Sequence, residues 1–139
     1  MRFNTISVLG AGAWGTALAN VAARAGHDVC LWGRSQQAVD IISDARENPR
    51  LPGVKLEARV HASADLAQAA KADLILCVVP AQNTRELAAQ LKNLVGASAP
   101  LVLCSKGIER GTRKFMNEVL RDELPADRKS TRLNSSHGY

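Results

Sequence analysis

The sequence predicts an α/β fold built on a doubly wound parallel sheet, and three observations predict it. Short apolar runs alternate with amphipathic helical patterns, the order that parallel strands with helical crossovers require. Residues 74–79 form a continuously apolar run stopped by Pro80, which suits a strand buried on both faces. A glycine-rich turn, Gly10-Ala11-Gly12-Ala13-Trp14-Gly15, joins the first apolar run to the first helical pattern.

The elements follow in order. Residues 6–9 read as the first strand. Residues 16–25 are Ala-rich, place Leu18, Val21, Ala22 and Ala25 on one helical face, and stop at Gly26. Residues 29–32 read as the second strand, and Ser35 as the N-cap of a helix carrying Val39 and Ile42. Residues 48–56 hold Pro49, Pro52 and Gly53 and read as a loop. A short strand begins at Val60, and residues 64–70 read as a short helix with Asp65 in its first turn. After the strand at 74–79, Leu87, Leu91 and Leu94 make a helix stripe, and residues 101–104 make another buried strand. Phe115, Met116, Val119 and Leu120 form the last stripe, closed by Pro125. These stripes read as core rather than as ligand contacts.

At 139 residues the chain has room for one domain of ordinary size. We assign that domain to residues 1–127. Residues 128–139, RKSTRLNSSHGY, break the pattern: they are polar, aperiodic and free of acids. They read either as an ordinary flexible terminus or as translated adapter or vector sequence, which KSTRLNSSH resembles. We expect the second, with the native frame ending near Asp127. Three of the 18 basic residues, Arg128, Lys129 and Arg132, lie in this tail, so the net charge of +5 overstates that of the domain. Clustered charge on a folded face, which nucleic-acid binding needs, is not evident.

Cys30, Cys77 and Cys104 each sit inside an apolar run without Cys-x-x-Cys spacing. They read as small buried hydrophobes in a reducing compartment, not as disulfides or metal ligands. His27, His61 and His137 show no triad or metal spacing, so no metal is expected. No run approaches the ~18 apolar residues that span a bilayer, and the N-terminus leads directly into a strand pattern. A cytoplasmic location without a membrane partner is expected.

The turn at residues 10–15 carries the chemistry. G-x-G-x-x-G alone is weak, but here it follows a strand and opens a helix. Gly10 allows the tight turn, Gly12 lets backbone approach a pyrophosphate, and Gly15 lets the helix pack close to the sheet. The unpaired N–H groups of the first helical turn then face the phosphates, aided by the helix dipole. This is the dinucleotide-binding version of the fold, the Rossmann type. A P-loop would need lysine after the loop, whereas this chain has Gly15-Thr16. The second strand ends in Trp32-Gly33-Arg34, with no acid to accept from a ribose 2′-hydroxyl. Arg34 can bind a 2′-phosphate, so NADP is expected to be accepted alongside NAD, and even preferred. Its alternative role is a surface cation or a platform stacked on adenine.

With these residues in view, GAGAWGTALA at 10–19 resembles the signature of bacterial NAD(P)-dependent glycerol-3-phosphate dehydrogenases. Leu31-Trp32-Gly33-Arg34, NPRLPGVKL at 48–56, Val78-Val79-Pro80-Ala81-Gln82 and Ser105-Lys106-Gly107-Ile108-Glu109 resemble further segments of that family in order and spacing. The resemblance implies that Gly10, Gly12, Ala13, Trp14 and Gly15 hold the pyrophosphate and nearby cofactor atoms, and that Arg34 meets the adenosine ribose. It implies that Lys106 sits near both the nicotinamide and the substrate, dihydroxyacetone phosphate or sn-glycerol 3-phosphate. It also implies a helical substrate domain beyond residue 139 that carries the acid/base lysine. No catalytic residue is therefore assigned within this chain. The implied reaction is reversible hydride transfer giving sn-glycerol 3-phosphate for glycerophospholipid synthesis, with a homo-oligomer open for the full-length protein. The alternatives are another dehydrogenase of this fold, of ketopantoate-reductase or hydroxyacid type, and a dinucleotide-sensing module without chemistry.

Overall fold

The computed structural model describes residues 3–94 and 99–124. Among these, five parallel strands form one sheet: β1 (Thr5–Leu9), β2 (Asp28–Trp32), β3 (Val60–Ser63), β4 (Leu74–Cys77) and β5 (Leu101–Leu103). The strand order is β3-β2-β1-β4-β5. The helices are α1 (Ala13–Arg24), α2 (Gln36–Ala45), α3 (Leu66–Ala69), α4 (Thr84–Leu91) and α5 (Met116–Glu123). The chain winds outward from β1 to β3 on one side, then crosses back to β4 and β5 on the other. The order reverses between β1 and β4, where ligands bind in open α/β sheets.

Alternation along the central strand explains why both faces are covered. Val8 belongs to a core with Val29, Leu31 and Val60, closed by Ala19 and Ala23 of α1 and Ile42 of α2. Leu9 points the other way, into a core with Ile75, Cys77 and Leu101, closed by Leu87 and Leu91 of α4 and Met116, Val119 and Leu120 of α5. Each fully buried aliphatic side chain contributes about 1.5–3 kcal/mol. The one buried polar side chain of β1, Ser7, donates its hydroxyl to the Ala69 carbonyl of α3. The bond offsets the cost of burying that hydroxyl.

Local signals place the helix ends. Gly26, at φ +103°, ends α1 in a Schellman motif. Its N–H donates to Ala23 O, and the His27 N–H donates to Ala22 O. Ser35 caps α2 by accepting from the Ala38 N–H at 3.2 Å. The short helix predicted over 64–70 with Asp65 in its first turn is α3 at Leu66–Ala69, and Asp65 is instead its N-cap, accepting from Ala67 and Gln68.

Three expectations need correction. Helix α1 begins at Ala13 rather than residue 16, and its buried face is Gly15, Thr16, Ala19, Asn20 and Ala23. Val21, assigned to the buried face, is 58% exposed. The helix packs so close to the sheet that small and hydrogen-bonding side chains take the inner face. Strands β4 and β5 end at Cys77 and Leu103, short of the predicted 79 and 104, because both apolar runs continue into loops at the sheet's C-terminal edge. Leu94 lies beyond α4, and Phe115 precedes α5 as its N-cap with 59% of its surface exposed, so neither belongs to its predicted stripe. The predicted domain boundary near Asp127, Pro125 and the tail at 128–139 lie outside the described residues.

Candidate functional site

The C-terminal edge of β1 opens into a cavity of about 540 Å³ lined by residues 10–15, 32–35, 48–50 and 78–80, with Ala38, Ile41 and Asn83. The three glycines of the turn do different work. Gly10 sits at φ +129°, and a Cβ there would lie 3.0 Å from the Val78 carbonyl. Its N–H donates to Trp32 O at 2.9 Å, which ties the turn to the end of β2. Gly15 faces inward, and its Cβ would lie 1.9 Å from the Gly10 carbonyl oxygen. Gly12 is the N-cap of α1 in extended conformation, and a Cβ there would meet nothing within 4 Å. The space in front of Gly12 is therefore open cavity.

Helix α1 has no side-chain cap and no acid in its first turn. Its leading N–H groups and positive dipole end face the cavity beside Gly12, an arrangement that favours an anion. The open space before Gly12 and the uncapped helix start are the features that a pyrophosphate site needs. Ala13 and Trp14 also line the space, and Trp14 is 58% exposed.

At the far end, Arg34 lines the cavity and pairs with Glu86 of α4 at 3.4 Å, both side chains well exposed. The acid that meets Arg34 is thus supplied by α4. Arg50 also lines the cavity, from the loop that follows α2. Trp32 is 5% exposed, and its indole Nε1 has no partner among the described residues. Glu86, Arg50 and Asn48 were not predicted as site residues.

Lys106 lies outside this lining, exposed on the segment after β5, whose C-terminal end is on the same edge of the sheet. That segment is firmly held. The Ser105 hydroxyl donates to the Val79 carbonyl, and Gln82 bonds Ile108 O and Arg110 N through its side-chain amide. Arg85 of α4 makes a bidentate pair with Glu109 at 2.9 Å and also reaches Glu123 and Asp122 of α5. The Arg85 guanidinium, with the Thr112 hydroxyl, pulls the Glu109 carboxyl down from its ordinary 4.5 to about 2.

A carboxylate whose pKa is lowered by folding stabilises the fold above its unfolded pKa and loses that contribution as pH falls toward the folded value. Glu109→Gln is accordingly expected to lower the melting temperature near neutral pH. The gap to the parent chain should close between about pH 4.5 and pH 2. Melting curves across that range check it; a gap that stays constant would remove Glu109 from the account.

Cys77 is buried and Cys30 and Cys104 are half-buried, where burial pushes both of the latter thiols up. Among the described residues no helix is long and apolar enough to cross a membrane, and no three His, Cys, Asp or Glu side chains gather as metal ligands.

Comparison with known proteins places this geometry. Residues 5–134 match the family described as NAD-dependent glycerol-3-phosphate dehydrogenase N-terminus. A glycerol-3-phosphate dehydrogenase [NAD(P)+] of Afipia carboxidovorans is 55% identical over 126 residues, covering 91% of this chain and 39% of that protein. The crystal structure of a glycerol-3-phosphate dehydrogenase from Coxiella burnetii superposes with a TM-score of 0.85 at 32% identity, covering 94% of this chain and 40% of that one. A ketopantoate reductase from Ralstonia eutropha gives 0.69 at 27% identity, with 94% and 40% covered, so the alternative dehydrogenase type fits less closely. The chain spans about two-fifths of the length of the curated relatives it matches. On its matched residues and its Rossmann-type sheet, the chain belongs to the glycerol-3-phosphate dehydrogenase family and represents that family's N-terminal domain.

Proposed function

We propose that this domain binds NADPH or NADH, with the pyrophosphate on the Gly12 turn. The observation that carries the reading is the empty space in front of Gly12, flanked by the uncapped start of α1 at the reversal of strand order. Gly10, Ala13, Trp14 and Gly15 complete the turn, and Arg34 faces the adenosine ribose. Hydride chemistry belongs to the nicotinamide; the protein supplies orientation and charge. Lys106, held at the sheet edge by Ser105 and Glu109, would meet the nicotinamide end and the substrate phosphate or hydroxyl once the cleft is complete. The whole protein would interconvert dihydroxyacetone phosphate and sn-glycerol 3-phosphate, a small-molecule reaction of glycerophospholipid synthesis. It would do so in the cytoplasm, where triose phosphate and reduced nicotinamide are both available, with neither nucleic acid nor membrane as partner.

The test is the ratio of dissociation constants for NADPH and NADH, by fluorescence titration of the chain and of Arg34→Asp. An aspartate beside Glu86 would repel the 2′-phosphate and could accept from a free 2′-hydroxyl. A charge-assisted hydrogen bond is worth about 1.5–3 kcal/mol, so NADPH affinity should fall about 10- to 100-fold while NADH affinity holds or rises. An unchanged ratio would return Arg34 to the solvent-facing role; no binding of either dinucleotide to the parent chain would overturn the reading.

A further inference from the structure

The loop after α2 is bonded into the glycine turn through one buried side chain. Asn48 is 2% exposed. Its Nδ2 donates to Ala11 O at 2.9 Å and to Thr16 Oγ1 at 2.7 Å, while its Oδ1 accepts from the Arg50 N–H at 3.0 Å. The Thr16 hydroxyl donates in turn to Gly12 O at 2.8 Å. Asn48 thus holds the peptide plane before Gly12 directly through Ala11 O, while the plane after it is held by α1 itself, Gly12 O accepting from the Thr16 N–H at 3.0 Å as well as from the Thr16 hydroxyl that Asn48 braces.

A trans peptide is planar, so its C=O and N–H point in opposite directions. Drawing the Ala11 carbonyl back to the buried amide turns the Gly12 N–H the other way, away from Asn48, on a residue that itself lines the cavity. No protein group among the described residues accepts from that N–H. The same anchoring of Gly12 O fixes the Ala13 N–H at the open start of α1. Asn20, one turn along α1, holds the rest of the loop by bonding Lys55 O and the Glu57 N–H. The far end of the loop is thus anchored by Asn20, and the bonds of Asn48 are made to the glycine turn and the start of α1.

We propose that Asn48 is a positioning residue for pyrophosphate. It pre-orients the Gly12 N–H group beside the helix-fixed Ala13 N–H, so that the dinucleotide meets an aimed donor rather than a mobile peptide. The inference rests on the cofactor reading above, and the ligands of the test separate the two. NADP+ carries both a pyrophosphate and a 2′-phosphate, whereas adenosine 2′-phosphate lacks the pyrophosphate.

The parent chain, Asn48→Ala and Asn48→Asp are titrated with both ligands by calorimetry. Aspartate keeps the shape and the bond from Arg50 but cannot donate to Ala11 O. Both variants should bind NADP+ about 10-fold more weakly, the loss expected for one misdirected charge-assisted donor. Both should bind adenosine 2′-phosphate as the parent does. A parallel loss of both ligands would show that Asn48 merely supports the fold, and no loss of either would show that it does not aim the turn; each outcome overturns the proposal. Failure of the parent chain to bind NADP+ at all would overturn the cofactor reading and this inference with it.

Should neither variant fold, amide NMR of the parent chain decides. The Gly12 amide proton should move downfield as NADP+ is added, while the Asn48 side-chain amide protons stay slow to exchange and unshifted. Fast exchange of the Asn48 protons, or a Gly12 amide that does not respond, would overturn the proposal.

Discussion

Gly12→Leu is expected to leave the chain folded and to reduce its affinity for NADPH by at least about 100-fold. Gly12 has φ −86° and ψ −170°, a conformation open to any residue, and its Cβ direction is empty. The cost to the fold is that of a poorer helix N-cap, about 1 kcal/mol or less. The isobutyl group would fill the space in front of the leading N–H groups of α1. Two charge-assisted bonds to phosphate, at about 1.5–3 kcal/mol each, would go with it. Circular dichroism melting beside fluorescence titration makes the check: a folded variant that binds NADPH as the parent does would remove the turn from the cofactor site.

Gly15→Ala is expected to do the reverse, damaging the fold first. Its new methyl group would sit 1.9 Å from the Gly10 carbonyl oxygen, and the obstructing atom is backbone at the root of the turn. Relief would require α1 to move away from β1 or Gly10 to leave its φ of +129°. Overpacking of this kind costs about 1–3 kcal/mol and occasionally more, which in a domain of this size lowers the melting temperature by on the order of 10 °C. Differential scanning calorimetry tests it; a melting temperature within about 2 °C of the parent would mean that the helix is not held against the turn as described. The two substitutions lie three residues apart in one motif, and their opposite outcomes would separate a ligand-contacting glycine from a packing glycine.

The sheet was legible because buried parallel strands are written as unbroken apolar runs, and those runs are local. Their ends were less so: Val78 and Val79 continue the apolar run of β4 but line the cavity instead of pairing in the strand. The inner face of α1 was misread for a physical reason. Periodicity weighs hydrophobicity, whereas this helix approaches the sheet through Gly15, Thr16, Asn20 and two alanines, chosen for size and hydrogen bonding. The glycine turn was readable from spacing and context. Asn48 and Glu86 were not, because their meaning lies in partners 32 and 52 residues away, Thr16 and Arg34. An asparagine before a proline looks like any loop residue until the helix it bonds is in place.

The strand order carries a consequence at the margins of the sheet. Among the described residues its two edges are β3, with four residues, and β5, with three. The five-residue strand β1 lies in the interior, hydrogen-bonded on both sides. An unpaired strand edge is a template on which another chain can add by backbone hydrogen bonding, and its danger grows with its length. Here the apolar segments with the greatest capacity for intermolecular pairing are sequestered in the middle. Among the described residues, what remains at either side is a short strand that offers few backbone groups to an incoming chain.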